Sequence, residues 1–204
     1  MYLKKGIIGP EYLCEDGTIR AEHDPMRAYS EYFGVYSEKR SDELLISGRL
    51  IQIPEGGTID NLQVRVDQLS QEWQDFLYSI DPETIVEMAS LVRRPNAPKL
   101  SSFYLIREIL NYSVNNDIKY WIFGLHPGLA RTYQGRFKGA IKQIGEGVQI
   151  GHLKPLGVPY ILDIDRAVVE FTKEIDGGPI HQLAQTAVRD FMRRGAPLKS
   201  EGIS

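Results

Sequence analysis

Apolar residues recur along this chain with two periods, and the switches between those periods mark out its elements. Residues 28–38, AYSEYFGVYSE, are aromatic and β-branched with partial alternation, which predicts a strand. Residues 43–53, ELLISGRLIQI, read as its return across the polar turn EKRSD, so an antiparallel hairpin is expected. Pro54, Gly56 and Gly57 then break the chain. Val66, Leu69, Trp73, Phe76, Leu77 and Ile80 fall on one helical face and predict a helix over 66–80. IVEMASLV, residues 85–92, is short, apolar and bounded, and suits a central strand.

A second helix follows a proline-rich loop, with Phe103, Ile106, Leu110 and Val114 along one stripe and Ser101 or Ser102 as its N-cap. IKYWIFGL, residues 118–125, is another buried strand, and HPGLARTYQGRF opens a helix at a proline. The segment 140–164 reads as strands interrupted by Gly and Pro. Two amphipathic helices are expected after it, DIDRAVVEFTKE and PIHQLAQTAVRDFMRR, the second with Ile180, Leu183, Ala187, Val188 and Phe191 on one face. Hairpin, helix, strand, helix, strand, helix, strands and helices make an α+β fold with a mixed sheet. A chain of 204 residues is expected to form one domain over 1–204.

Several chemistries lack their motifs. There is no GxGxxG and no GxxxxGK[ST], so neither dinucleotide nor P-loop binding is indicated, and no G-x-S-x-G elbow points to a serine hydrolase. His23, His126, His152 and His181 are scattered, none at ligand spacing to another His or to the single cysteine, Cys14, so no metal site is expected. One cysteine allows no intrachain disulfide, which suits a reducing compartment. Net charge is −3 at 25% charged residues, so nucleic-acid binding by bulk charge is not expected. No apolar run approaches the ~20 residues of a membrane span. MYLKKGIIGPEYL does not read as a secretory signal, and a cytoplasmic location is expected.

Five segments line up in order with one group of enzymes. GRLI (residues 48–51) is similar to a strand ending in an Arg-Leu pair, and IVEMASLV to a Glu-bearing central strand. IKYWIFGL and ARTYQGRF resemble the strand and helix that follow. KQIGEGVQIGHLKPLGVPYILDI resembles a late Gly-Glu segment leading to a Tyr-containing strand. Over residues 20–165, with C-terminal helices at 165–195, the chain resembles the acyl-transferring relatives of GNAT-type N-acetyltransferases. These are the autoinducer (acyl-homoserine lactone) synthases and the long-chain N-acyl amino acid synthases. The resemblance implies a mixed, splayed GNAT-like sheet flanked by helices, with a slot for the pantetheine arm of a thioester donor. It departs from the family at Ser90, where autoinducer synthases usually carry an arginine three residues after the glutamate. The loop after this strand also lacks the glycine-rich pattern that grips coenzyme A in simple acetyltransferases.

Amide formation from a thioester needs a neutral amine, and Glu87 is placed to take its proton, its pKa raised by partial burial; the alternative is a structural pair with Arg49 or Arg93. Arg49 offers a planar fork for an acceptor carboxylate or for orienting Glu87; a solvated strand-edge arginine is the alternative. In RRPNAPKLSS, the cations Arg93, Arg94 and Lys99 precede the free N–H groups of a helix start at Ser101 and Ser102. That combination suits a phosphate such as that of phosphopantetheine, and a basic rim suits an acidic acyl carrier protein. A solvated, proline-stiffened loop remains open. Arg131 extends the rim. The resemblance implies Tyr133 as proton donor to the leaving thiolate, Asp24 as an acceptor-side acid, and Ser90 at a position that holds the donor or the amine; a core tyrosine and a plain Asp-Pro turn are the alternatives for Tyr133 and Asp24. His126, at a strand's C-terminal end, is a further substrate-side candidate, or a turn residue.

The expected reaction moves a long acyl group from an acyl carrier protein thioester to an amine such as an amino acid. No tightly bound cofactor is expected; the acyl-phosphopantetheine thioester is a co-substrate. A coenzyme A-dependent N-acetyltransferase, and a non-catalytic lipid- or partner-binding module on the same fold, remain as alternatives.

Overall fold

The structure is a computed structural model and describes residues 24–98, 100–125, 127–147 and 157–177. After a 3-10 turn at Pro25–Tyr29, β1 (Ser30–Tyr36) and β2 (Leu44–Gln52) form the expected antiparallel hairpin. Next come α1 (Gln71–Ser79), β3 (Ile85–Arg93), α2 (Leu100–Asn115), β4 (Tyr120–Leu125), α3 (Pro127–Phe137), β5 (Ile141–Gln143), β6 (Val158–Asp163) and α4 (Ile164–Gly177). Among the described residues the six strands form one mixed sheet in the order β1-β2-β3-β4-β6-β5. Four of its contacts are antiparallel; β3 and β4 run parallel.

Strand alternation sends side chains to two apolar layers. On one face Ile46, Leu50, Val86, Met88, Trp121, Phe123 and Leu162 pack against α2, α3 and α4. On the other face Ile51, Ile85, Ile122 and Ile161 pack under α1 and the segment 59–69, through Ile59, Leu62, Val64, Val66 and Leu77. A polar relay crosses the first layer. Trp121 Nε1 donates to Ser113 Oγ at 2.8 Å, and Ser113 Oγ donates to the Ile109 carbonyl at 2.9 Å. Both side chains are fully buried, and this relay satisfies the indole N–H that an apolar core would otherwise strand.

Several elements differ from their sequence expectation. The helix expected over 66–80 is only α1. Val66–Gln68 is a separate 3-10 turn, and Leu69 and Ser70 are extended (ψ 166° and 154°), so two elements share one apolar stripe. Val114, expected on the buried stripe of α2, is 50% exposed; Leu105 and Ile109 are buried instead. Ser101 and Ser102 are not N-caps, because α2 already begins at Leu100, and the Ser101 N–H is taken by the Pro98 carbonyl at 3.0 Å. The helix expected after residue 180 lies outside the described residues, as does Cys14.

Candidate active site

The parallel contact between β3 and β4 is short. Ile85 pairs with Tyr120, Val86 with Trp121 and Glu87 with Ile122, and there the ladder ends, although β3 runs on to Arg93 and β4 to Leu125. Glu87 therefore stands at a fork in the sheet. Just past it β3 carries a bulge: Ser47 pairs with Val92 and Arg49 with Ala89, so Ser90 and Leu91 together face Gly48. Ser90 is in the left-handed region at φ 55°, a strained conformation for a non-glycine residue. The extra residue resets the alternation. Met88 and Leu91 both turn to the α2 layer, and Ser90 is exposed.

Glu87 is 1% exposed. Its Oε2 accepts the Gln63 N–H at 2.5 Å and the Val64 N–H at 3.2 Å. Burial pushes its carboxyl up to about 7, while those two amides and the charge of Arg49 pull the other way. Glu87 does not form the ion pair with Arg49 or Arg93 that was the structural alternative; its fixed partners are backbone.

Arg49, on the same sheet face, is 6% exposed. Its Nη1 donates to Asp24 Oδ2 at 2.6 Å and to the Tyr32 hydroxyl at 3.3 Å, and its Nε has no partner. Burial draws its pKa down, but the bonds to Asp24 and Tyr32 outweigh this and the net direction is upward. Arg49 is thus bound to Asp24 and Tyr32 on the sheet face that also carries Glu87. Arg49 is already neutralised by Asp24, so it is a pre-set pair rather than an open carboxylate fork.

Other candidates are placed differently. Arg93 folds back and donates through Nη2 to the Ala97 carbonyl, with Nε buried and unpartnered, so it braces its own loop instead of lining a rim. Arg94 reaches Glu43 Oε1 at 3.5 Å and is half exposed. Arg131 is exposed on α3, Ser101 is buried and Ser102 half-buried; Lys99 and His126 lie outside the described residues. Tyr133 packs beside Phe123 and Phe137 in the α2-side layer, on the sheet face opposite Glu87. Burial pushes its phenol up to about 12, with Arg136 pulling it back. The fork does not bring Tyr133 and Glu87 to one face. The Gln63 and Val64 amides escaped the sequence reading because backbone donors have no residue signature; the alternation of Leu62, Val64 and Val66 was the available hint that this segment packs against the sheet.

A separate cleft of about 370 Å³ lies between α4 and the turn before β5, lined by Gly139, Ala140, Asp165, Arg166, Val169 and Glu170, and shares no residue with this cluster. Among the described residues no three His, Cys, Asp or Glu side chains form a metal-binding group, and no helix is long and apolar enough to cross a membrane.

No family model matches the sequence. No curated protein matches it either. Solved structures do. FeeM, an N-acyl amino acid synthase from uncultured soil microbes, superposes with a TM-score of 0.56 at 13% identity, over 89% of this chain and 85% of FeeM. BjaI, a coenzyme A-dependent acyl-homoserine lactone synthase solved with SAM and isopentyl-CoA, gives 0.58 at 10% identity, over 88% of this chain and 78% of BjaI. TofI, solved in a ternary complex with an inhibitor and MTA, gives 0.58 at 15% identity, over 84% and 82%. With its forked mixed sheet, this chain has the GNAT-like fold of the N-acyl amino acid and acyl-homoserine lactone synthases.

Proposed function

We propose that this protein is an N-acyltransferase that moves an acyl group from a phosphopantetheine thioester to an amine, with an amino acid as the favoured acceptor. The observation that carries the reading is the ending of the β3–β4 ladder at Glu87, with that carboxyl desolvated and poised near neutral pH at the fork. In this reading the pantetheine arm lies along the unpaired edge of β3. The amine approaches from the Arg49–Asp24 side, and Glu87 takes its proton, directly or through water, as nitrogen attacks the thioester carbon. Backbone N–H groups at the Ala89–Leu91 bulge are the proposed stabilisers of the oxyanion. Starting from the neutral amine, collapse expels the thiolate, which takes up the proton that Glu87 drew from nitrogen, so the step balances without a second acid; an acceptor that arrives as ammonium first releases one further proton to water. Tyr133 stays protonated but faces the other layer, and its proposed role as thiolate donor requires access through the fork.

The donor is proposed to be an acyl carrier protein, with coenzyme A as the second reading. That second reading gains from the ties that Arg93 and Arg94 make within their own surroundings and from the coenzyme A dependence of BjaI. The test is intact-mass detection of acylated product with acyl-carrier protein or acyl-coenzyme A and pooled amines, for the wild type and Glu87→Gln. Wild-type product, with turnover about 100-fold lower in the variant and donor binding retained, supports the reading. Normal turnover in the variant removes Glu87 as base; donor binding without any product indicates a non-catalytic binding module.

A further inference from the structure

The Glu87 carboxylate is held from one side only. Both of its backbone bonds end on one oxygen, Oε2, and both come from consecutive residues, Gln63 and Val64. Among the described residues no hydrogen bond reaches Oε1. The donors belong to a segment anchored on either side by buried Leu62 and Val66 and seated on the sheet through Ile59 and Leu69, so the two N–H groups are fixed by packing rather than by the carboxylate alone.

We propose that the Leu62–Val64 segment is a positioning clamp for Glu87: its two amides fix the carboxylate rotamer through Oε2 and leave Oε1 as the oxygen that exchanges a proton with substrate. The clamp itself is independent of the reaction assigned above; its catalytic meaning rests on that reading. A carboxylate held by one oxygen keeps a defined direction for the other, which a freely rotating side chain would not. The amides also work against desolvation, holding the carboxyl near neutrality where burial alone would carry it higher. The charge that acts on Glu87 is Arg49 from β2, with Asp24 and Tyr32 attached to it, and β4 adds the phenol of Tyr120 to the same sheet face. The clamp segment contributes only backbone bonds to Glu87, and β4 presents Ile122 opposite it.

The first experiment needs no substitution. In the wild-type protein, the Gln63 and Val64 amide proton shifts are followed by NMR against pH, with the Glu87 carboxyl carbon alongside. The clamp requires both amides to titrate with the midpoint of the carboxyl; amides that stay silent through that midpoint overturn it. The second compares Gln63→Pro with Gln63→Ala. Leu62 already has φ −74° and ψ 160°, the extended backbone that a following proline requires, so proline deletes one N–H donor while alanine keeps it. Gln63→Pro is expected to raise the Glu87 midpoint and Gln63→Ala to leave it; equal midpoints in the two folded variants sink the proposal. In the transfer assay the proline variant should lose about tenfold in kcat/KM on the acid limb for each pH unit the midpoint rises, with the alkaline plateau kept. If Gln63→Pro does not fold, amide exchange decides in its place. Glu87→Leu should accelerate exchange at Gln63 and Val64 at least tenfold, and unchanged exchange refutes the clamp. Coupled amide titration in a protein without transfer activity would leave the clamp standing and remove the assigned reaction.

Discussion

Glu87 couples the fork to pH. Its carboxyl lies at about 7 in the folded protein against 4.5 for an exposed one, so between those values the folded state holds a proton that the unfolded chain has released. Its contribution to stability is complete below about pH 4.5, declines as pH rises through the window, and is gone above about pH 7, a difference on the order of 3 kcal/mol. Glu87→Gln should remove that decline. The gap in unfolding free energy between variant and wild type, from urea denaturation at pH 5 and pH 8, should therefore widen in the variant's favour at pH 8. The Arg49–Asp24 pair behaves differently. Both side chains are about nine-tenths buried, so Asp24→Asn leaves a buried guanidinium without its counter-charge and should cost about 3–5 kcal/mol. Arg49→Met combined with Asp24→Asn should recover much of that loss in the same measurement. These three residues were legible in the sequence because each is a charge set in a strand or a turn. Their surroundings were not: the amides that hold Glu87 are backbone, and Arg93 turns its Nη2 onto its own loop through a contact that depends on how that loop folds.

The secondary elements show where period reasoning works and where it runs together. β3, β4 and α2 appear where their apolar runs placed them. α1 does not extend back to Val66, because residues on two successive elements can sit under the same apolar layer and mimic one helical stripe. The β3 bulge was also invisible: Ser90 has no glycine signature for φ 55°, and only the pairing with β2 reveals the added residue. α2 and β4 are tied by the Trp121–Ser113 bond. Ser113→Ala leaves the indole N–H buried and unpartnered and should cost about 1–3 kcal/mol. Trp121→Phe in that background should give back part of the loss, a coupling that a double-mutant cycle in thermal denaturation would read.

Taken as a whole, the sheet is two antiparallel halves, β1-β2-β3 and β4-β6-β5, joined by three parallel pairs. The order of weak segment likenesses was enough to anticipate this forked architecture, because element order is shared with solved structures of the same fold that are only 10–15% identical. Donor identity was not legible, because it depends on which cations stay free at the surface. With an acidic carrier protein as donor, acyl-carrier thioester should outcompete acyl-coenzyme A of the same chain length, and the preference should fall as salt rises. Competition followed by product mass at low and high salt reads both effects, and a salt-independent preference for coenzyme A would reverse the donor assignment.

Because backbone pairing stops at Glu87 and Ile122, hydrogen bonds do not set how far the two halves stand apart beyond that point. Packing does, through Met88, Leu91 and Phe123 against α2 and its neighbours. The spacing of the two strands past that point is therefore set by side-chain volume, and under the proposed acyl transfer core substitutions that touch no charged group would shift which chain lengths fit.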